Sequence, residues 1–247
     1  MITFSIITCT YNAAEVLQRT LDSVARQTYP NIEHIIVDGA SKDNTMAMVA
    51  DYKLSSPHPL TIISERDKGL YDAMNKGIQL AKGDYIVFLN AGDIFPSEQT
   101  ISQELIGGES KELPGVLYGN TDIVNEKGEF LYHRRLQPPK HLSWRSFKNG
   151  MLVCHQSFYA RTSIAKQTPY DLHYRLSADV DWCIRIMKKA EEQGLTLHNT
   201  NRVLCNYLEG GMSIKNHRAS LIERFHIMRK HYGLISTIIK HISFFFR

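Results

Sequence analysis

Acidic residues recur where apolar, strand-like runs give way to polar loops: Asp38 after Glu33–Val37, Asp67 after Leu60–Ser64, and Asp93 after Asp84–Leu89. Carboxylates collected in this way can accept hydrogen bonds from a ligand, hold a divalent cation or take up a proton. A further pair, Asp179 and Asp181, opens a helical pattern after Ser177. Either can be a proton acceptor, and each also suits a helix start, as an N-cap or as a charge that favours the helix dipole. His155 and Gln156 interrupt the apolar stretch Leu152–Ala160. If that stretch is a buried strand, an unpaired polar group costs about 1–3 kcal/mol. A pocket explains both residues, and the alternative is a hydrogen-bonded core His beside an exposed Gln.

The elements that must position these residues read as an α/β layered domain. Ile2–Thr8 is a first strand, followed by a helix capped at Asn12 with Ala14, Leu17, Leu21, Val24 and Ala25 at helical spacing. Glu33–Val37, Leu60–Ser64 and Asp84–Leu89 alternate with two more helices, one of them marked by Leu70, Met74, Ile78 and Ala81. This alternation predicts a mainly parallel sheet whose C-terminal strand edge, where ligands bind in open α/β sheets, carries three acidic loops facing one crevice. Beyond Phe95 the expectations are a helix near Ser97–Ile106, a strand at Val116–Gly119, a hairpin across Asn125–Gly128 and a long loop over 137–150. A strand at 152–160, a helix over 178–192, a strand at 195–207 and a basic helical end from Ser213 follow.

The chain has 247 residues, 43% apolar and 22% charged, which excludes a disordered or fibrous protein and leaves room for one large domain with an appendage. No apolar run approaches the roughly 18 residues needed to span a bilayer. Met1–Thr10 lacks the pattern of a secretory signal, so cytoplasmic residence is expected. Cys9, Cys154, Cys183 and Cys205 are too scattered for a zinc cluster or a disulfide framework and read as buried thiols. Of the net charge of +4, residues 201–247 hold 8 Lys/Arg against 2 Asp/Glu. The positive charge therefore belongs to the C-terminal end, and the rest of the chain is slightly acidic.

Four segments carry a family resemblance: Ile6-Ile7-Thr8-Cys9-Thr10-Tyr11-Asn12, Val37-Asp38-Gly39-Ala40-Ser41-Lys42-Asp43-Asn44-Thr45, Phe88-Leu89-Asn90-Ala91-Gly92-Asp93 and Ala178-Asp179-Val180-Asp181-Trp182. They resemble the family 2 glycosyltransferases, inverting nucleotide-sugar enzymes with a GT-A fold. The Asn90 form of the third motif and Cys154-His155-Gln156-Ser157 are similar to bacterial capsule, exopolysaccharide and O-antigen enzymes. The resemblance implies an α/β GT-A fold, with a Rossmann-like sheet flanked by helices and a C-terminal extension on the acceptor side. It divides the chain into a nucleotide-sugar half over 1–95, an acceptor and catalytic half over 96–212, and a basic amphipathic tail over 213–247.

What the resemblance implies for single residues follows from the donor's chemistry. A nucleotide-sugar presents a base, a ribose and a diphosphate, and needs partners for each. Thr8, Tyr11, Asp38, Asp67, Asn90 and Ala91 are the expected donor contacts, with Arg66 and Lys68 candidates for the diphosphate. Asp43 either joins them or caps the following helix. Asp93 is the expected carboxylate for Mg²⁺ or Mn²⁺, although Asn90 and Gly92 stand where the family commonly has the two acids of its D-x-D motif. Asp179 matches the general base, preceded by Ala178 where many relatives have Glu. His155, Gln156 and Trp182 are expected on the acceptor side, with core packing as the alternative for Trp182.

The expected activity is transfer of a hexosyl or N-acetylhexosaminyl group, from a UDP-sugar first among donors, to a glycan on a lipid carrier. No nucleic acid is expected as a partner. The end segment 232–247, with Phe244–Phe246, is expected to meet a membrane surface, the domain itself or a second subunit. Two other readings stand beside this one: a sugar-phosphate nucleotidyltransferase, which lacks its usual Gly-rich basic loop here, and a nucleotide- or membrane-binding scaffold with impaired catalysis.

Overall fold

The computed structural model describes residues 1–102, 105, 112–210 and 216–245, with backbone alone at 217 and 243–245. Strands β1 (Phe4–Thr10), β2 (Ile32–Asp38), β3 (Leu60–Ser64) and β4 (Tyr85–Phe88) are joined by helices α1 (Ala14–Ala25), α2 (Thr45–Ser55) and α3 (Leu70–Leu80). Strands β5 (Val116–Val124), β6 (Phe130–His133), β7 (Phe158–Arg161) and β8 (Leu197–Leu208) extend the same sheet. Its order is β3-β2-β1-β4-β7-β5-β6, with β8 paired to β5. β1 to β4 pair in parallel, whereas β7 runs antiparallel to β4 and β5. The chain moves outward from β1 to β3 and then returns to lay β4 on the other side of β1. That reversal opens a crevice at the C-terminal ends of β1 and β4.

Every residue of β1 is buried, as expected of a parallel strand covered on both faces. On one face Ile7, Cys9, Val37 and Phe88 pack with Met74 and Ile78 of α3 and with Trp182 and Ile186 of the next long helix, α5 (Ala178–Glu192). On the other, Phe4, Ile6, Tyr85 and Val87 meet Val24, Tyr159 and Leu204. α3 lies close because residue 77 is Gly: a Cβ there would stand 2.5 Å from Ile7 Cγ2. A short helix, α4 (Thr162–Ala165), follows β7. Cys9, Cys183 and Cys205 are buried free thiols and Cys154 is half-buried, in keeping with the sequence reading.

Three local expectations change. Residues 97–102 form turns, while 103, 104 and 106 lie outside the described residues. The strand expected over 152–160 shortens to β7, preceded by a 3₁₀ turn at His155–Ser157. There three successive polar side chains turn inward to internal partners, Ser157 Oγ donating to Asn120 O. Asn12 does not cap α1. The cap position is Ala13, and the first amides of α1 are met from the β2–α2 loop, Ala13 N–H donating to Thr45 Oγ1 and Ala14 N–H to Asp43 Oδ2. Asp43 Oδ1 also accepts from Thr45 N at the start of α2, so this carboxylate, one residue before the α2 cap position Asn44, meets an amide at the start of both helices.

The C-terminal end packs on the domain, one of the alternatives its sequence offers. Helix α6 (His217–Tyr232) packs on α5, and α7 (Leu234–Phe245) on α6. Asp181, fully buried, meets Arg185 Nε, His231 Nε2 at 2.8 Å and Lys230 Nζ at 3.2 Å. Burial pushes its pKa up, but the hydrogen bond to His231 and the charges of Arg185 and Lys230 outweigh that and hold it well below the ordinary range. Glu223 accepts the backbone N–H groups of Arg175, Leu176 and Ser177, fixing the loop that leads into α5. Removing one partner of a buried ionic cluster leaves the others uncompensated. Asp181→Asn is expected to cost about 3 kcal/mol in chemical denaturation, and a change below about 0.5 kcal/mol would show that the cluster holds nothing.

Candidate functional site

The crevice edge is built from strand ends. Asp38 closes β2 with a buried carboxylate that accepts from Ser41 N at 2.9 Å, Ser64 Oγ at 2.7 Å and Ser41 Oγ. Gly39 follows, and a Cβ there would lie 2.6 Å from Asp67 Oδ2 and 3.2 Å from Tyr11 Cδ2. The missing side chain thus lets the loops after β1, β2 and β3 close on one another. Tyr11 is 62% exposed on the outer side of this cluster, and Asp67 Oδ1 accepts from Gly69 N. Tyr11, Asp38 and Asp67 are therefore brought together. Arg66 and Lys68 are exposed on either side of Asp67.

Thr8 is not on this surface. It is fully buried, its hydroxyl donating to Leu89 O and lying 3.0 Å from His34 Nε2, so it supports the crevice floor from beneath. The reason is register: the C-terminal end of β1 extends two residues past the expected Thr8, to Thr10.

The turn after β4 divides its residues between two tasks. Ala91 packs toward the Leu17–Leu21 side of α1. Asp93 is 4% exposed, its Oδ1 accepting from Leu208 N at 3.0 Å and its Oδ2 from Gln156 Nε2 at 2.9 Å. Burial raises its pKa to about 6, partly offset by those two donors and by the charges of His155 and Arg19. The expected metal carboxylate is thus a strut between β8 and the 3₁₀ turn. Gln156, expected to meet the acceptor, is the other half of that strut, and its Oε1 accepts from Cys154 Sγ. Among the described residues no three His, Cys, Asp or Glu side chains gather to hold a metal. Asn90 Oδ1 is different: it is buried without a hydrogen-bond partner among the described residues. An ion carried in on phosphate oxygens fits that orphaned acceptor better than it fits Asp93.

Asp179 stands at the mouth of α5, with 16% of its side chain open to solvent. Tyr71 OH donates to Oδ1 at 3.3 Å, and His155 Nδ1 lies 3.4 Å from Oδ2. Burial would push the Asp179 pKa up, but His155, the Arg224 guanidinium and the Val180 N–H outweigh it and leave the carboxyl below its ordinary value. Tyr71, buried beside that charge, keeps its proton. His155 Nε2 lies 3.3 Å from Asn90 Nδ2, so the imidazole spans the β4 turn and the α5 carboxylate. Trp182 is corrected to the core: it is fully buried, donates to Thr168 O and stacks on Tyr170 at 4.7 Å. One turn into α5 its ring points away from the carboxylate edge and into the sheet packing. Sequence reasoning missed Gly39, Ser41, Ser64 and Tyr71. For Tyr71 the sole local signal was its place in the first turn behind the Asp67 loop.

The sequence profile described as "Glycosyl transferase family 2" matches residues 5–168. The chain belongs to glycosyl transferase family 2. Relatives of this family 2 chain include a PGL/p-HBAD biosynthesis glycosyltransferase of Mycobacterium bovis, 34% identical over 212 residues that cover 85% of this chain and 78% of that one. The amylovoran biosynthesis glycosyltransferase AmsB of Erwinia amylovora is 30% identical, covering 83% and 69%. The fold is of the GT-A type. It superposes on residues 1–349 of Staphylococcus aureus TarS in complex with UDP-GlcNAc with a TM-score of 0.71 at 16% identity, covering 98% of this chain and 73% of that one. The mannosyltransferase PcManGT of Pyrobaculum calidifontis, in complex with GDP-Man and Mn²⁺, gives 0.63 at 16% identity, covering 98% and 74%. The sugar-phosphate nucleotidyltransferase reading falls with the family assignment.

The Asp93 carboxyl gives the site a pH signature. The unfolded chain releases this proton near pH 4 and the folded chain near pH 6, so between them the folded state holds the extra proton. Raising the pH through that window is expected to remove up to about 3 kcal/mol of stability, with no change from this group below or above it. Thermal melts of Asp93→Asn across the same range should lose that slope, and an identical slope would reassign it.

Proposed function

We propose that this family 2 enzyme is an inverting glycosyltransferase that moves a hexosyl or N-acetylhexosaminyl group from a UDP-sugar to a hydroxyl of a lipid-carried glycan, in the assembly of a bacterial surface polysaccharide. The observation that carries the reading is the Asp179 carboxylate, held below its ordinary pKa by His155, Arg224 and the Val180 N–H, bonded by Tyr71 OH with one edge open, and tied through His155 to the strand-end crevice at Asn90. The names of the two relatives, in PGL/p-HBAD and amylovoran biosynthesis, support the polysaccharide setting. The nucleotide-sugars in the two structural neighbours support the donor class.

In this reading Tyr11 covers the nucleoside, Asp67 accepts from its ribose, Asp38 exchanges one of its serine hydrogen bonds for one from the base, and the diphosphate lies toward Asn90. The acceptor hydroxyl attacks the anomeric carbon from the face opposite the diphosphate. One carbon–oxygen bond forms as the other breaks, the hydroxyl proton passes to Asp179, and the nucleoside diphosphate leaves. A single displacement needs no covalent enzyme intermediate. A divalent ion, Mg²⁺ or Mn²⁺, bound through Asn90 Oδ1 and the donor phosphates would supply charge neutralisation to the leaving group. Asp93 and Gln156 hold the turn that presents Asn90.

Two measurements test this. Asp179→Asn should lower transfer by about 10²–10⁴-fold while calorimetry shows UDP-sugar binding unchanged. Transfer at the wild-type rate would reject Asp179 as the base, and a wild-type chain that binds nucleotide but transfers nothing would restore the impaired-scaffold reading. In thermal-shift titrations with UDP, GDP, CMP and dTDP, UDP should stabilise most and more so with Mn²⁺. Asn90→Ala should erase the Mn²⁺-dependent part, and an unchanged increment would move the ion elsewhere.

A further inference from the structure

The last helix carries its apolar face outward. Ile235, Ile238, Ile239 and Ile242 follow the i, i+3, i+4, i+7 spacing by which helices bury a stripe in a core. Here all four are exposed, from 43% at Ile238 to 77% at Ile235, and Leu234 continues the patch. The polar side of α7 faces the domain instead. Thr237 is fully buried and donates to Gly233 O, and Lys240 Nζ donates to Asn149 Oδ1 at 2.7 Å. A contiguous aliphatic patch of this kind on a water-soluble domain marks an interaction surface.

The neighbouring helix gives the patch its charge. Phe225 of α6 meets His241 of α7 edge to face at 5.1 Å. At 100° per residue, exposed Arg218, Ile222 and Arg229 fall within about 60° of Phe225 around α6, on the side that borders α7. Over 217–245 the sequence has five Lys/Arg and one acid, Glu223. That acid is turned onto the amides of Arg175, Leu176 and Ser177. The aliphatic stripe is therefore bordered by cations with no outward carboxylate on these two helices. A second copy docked through the same patch would set like charges against each other. Anionic headgroups complement them, and acyl chains take the isoleucines. α7 has 12 residues, and no helix among the described residues is long and apolar enough to cross a membrane.

We infer that the α6–α7 pair is a docking face for an anionic lipid bilayer, with α7 lying in the plane of the interface, Ile235, Ile238, Ile239 and Ile242 at the acyl boundary, and Arg218 and Arg229 on the headgroups. The inference rests on this surface and not on the transfer reaction. It is tested by flotation of the purified full chain with vesicles of phosphatidylcholine alone and of phosphatidylcholine with phosphatidylglycerol. The chain should float with the mixed vesicles, and less so as salt is raised. Ile235→Ser with Ile239→Ser should lower the bound fraction by about tenfold with an unchanged melting temperature, since both side chains are exposed. Arg218→Glu with Arg229→Glu should abolish the preference for phosphatidylglycerol. The inference is overturned by absence of flotation with either vesicle, by charge-reversed protein that still prefers the anionic one, or by a concentration-dependent dimer in light scattering that the isoleucine variants dissolve.

Discussion

A carboxylate withdrawn from water has to be given hydrogen-bond donors or cations, or it takes up a proton. Asp179 and Asp93 show two degrees of that compensation within one site. Asp179 is surrounded by Tyr71 OH, the His155 imidazole and the charge of Arg224, and stays ionised. Asp93 receives two neutral donors and sits deeper, and its pKa rises to about 6. The first keeps a charged edge open to solvent, and the second holds a turn. Both meet at the 3₁₀ turn of His155 and Gln156, which joins them to β4.

The scaffold follows from the need to bring those groups to one edge. Tyr71 comes from α3, His155 from the turn before β7, and Asp179 from α5, more than a hundred residues beyond Tyr71. The reversal of strand order at β1 and β4 places the first two near each other. α6 secures the third, through Glu223 on the loop before α5 and through the buried Asp181 cluster. The basic C-terminal segment is therefore part of what holds Asp179 in place, while its last helix faces away with its isoleucines exposed.

Much of the first half was legible because parallel βα units carry strong local signals. β3 begins and ends at Leu60 and Ser64 as the apolar run does, and α5 spans Ala178–Glu192 as its periodicity requires. Asp38, Asp67 and Asp179 were legible as carboxylates at strand and helix ends. Their neighbours were not. Whether Thr8 faced the crevice depended on a strand boundary, and whether Gln156 faced the acceptor depended on a strand that became a turn. Trp182 and Tyr71 lie near the openings of their helices, yet one is buried in the core and the other reaches the carboxylate. Such choices are made by tertiary packing across long sequence separations, which no local pattern encodes.

The central claim is that the acceptor hydroxyl, deprotonated by Asp179, displaces the diphosphate in one step. Proton NMR of the product formed from an α-linked UDP-sugar tests it directly through the coupling at the new anomeric centre. The β configuration is the predicted result. An α-linked product would mean retention, hence a two-step or front-face reaction, and would contradict the role given to Asp179.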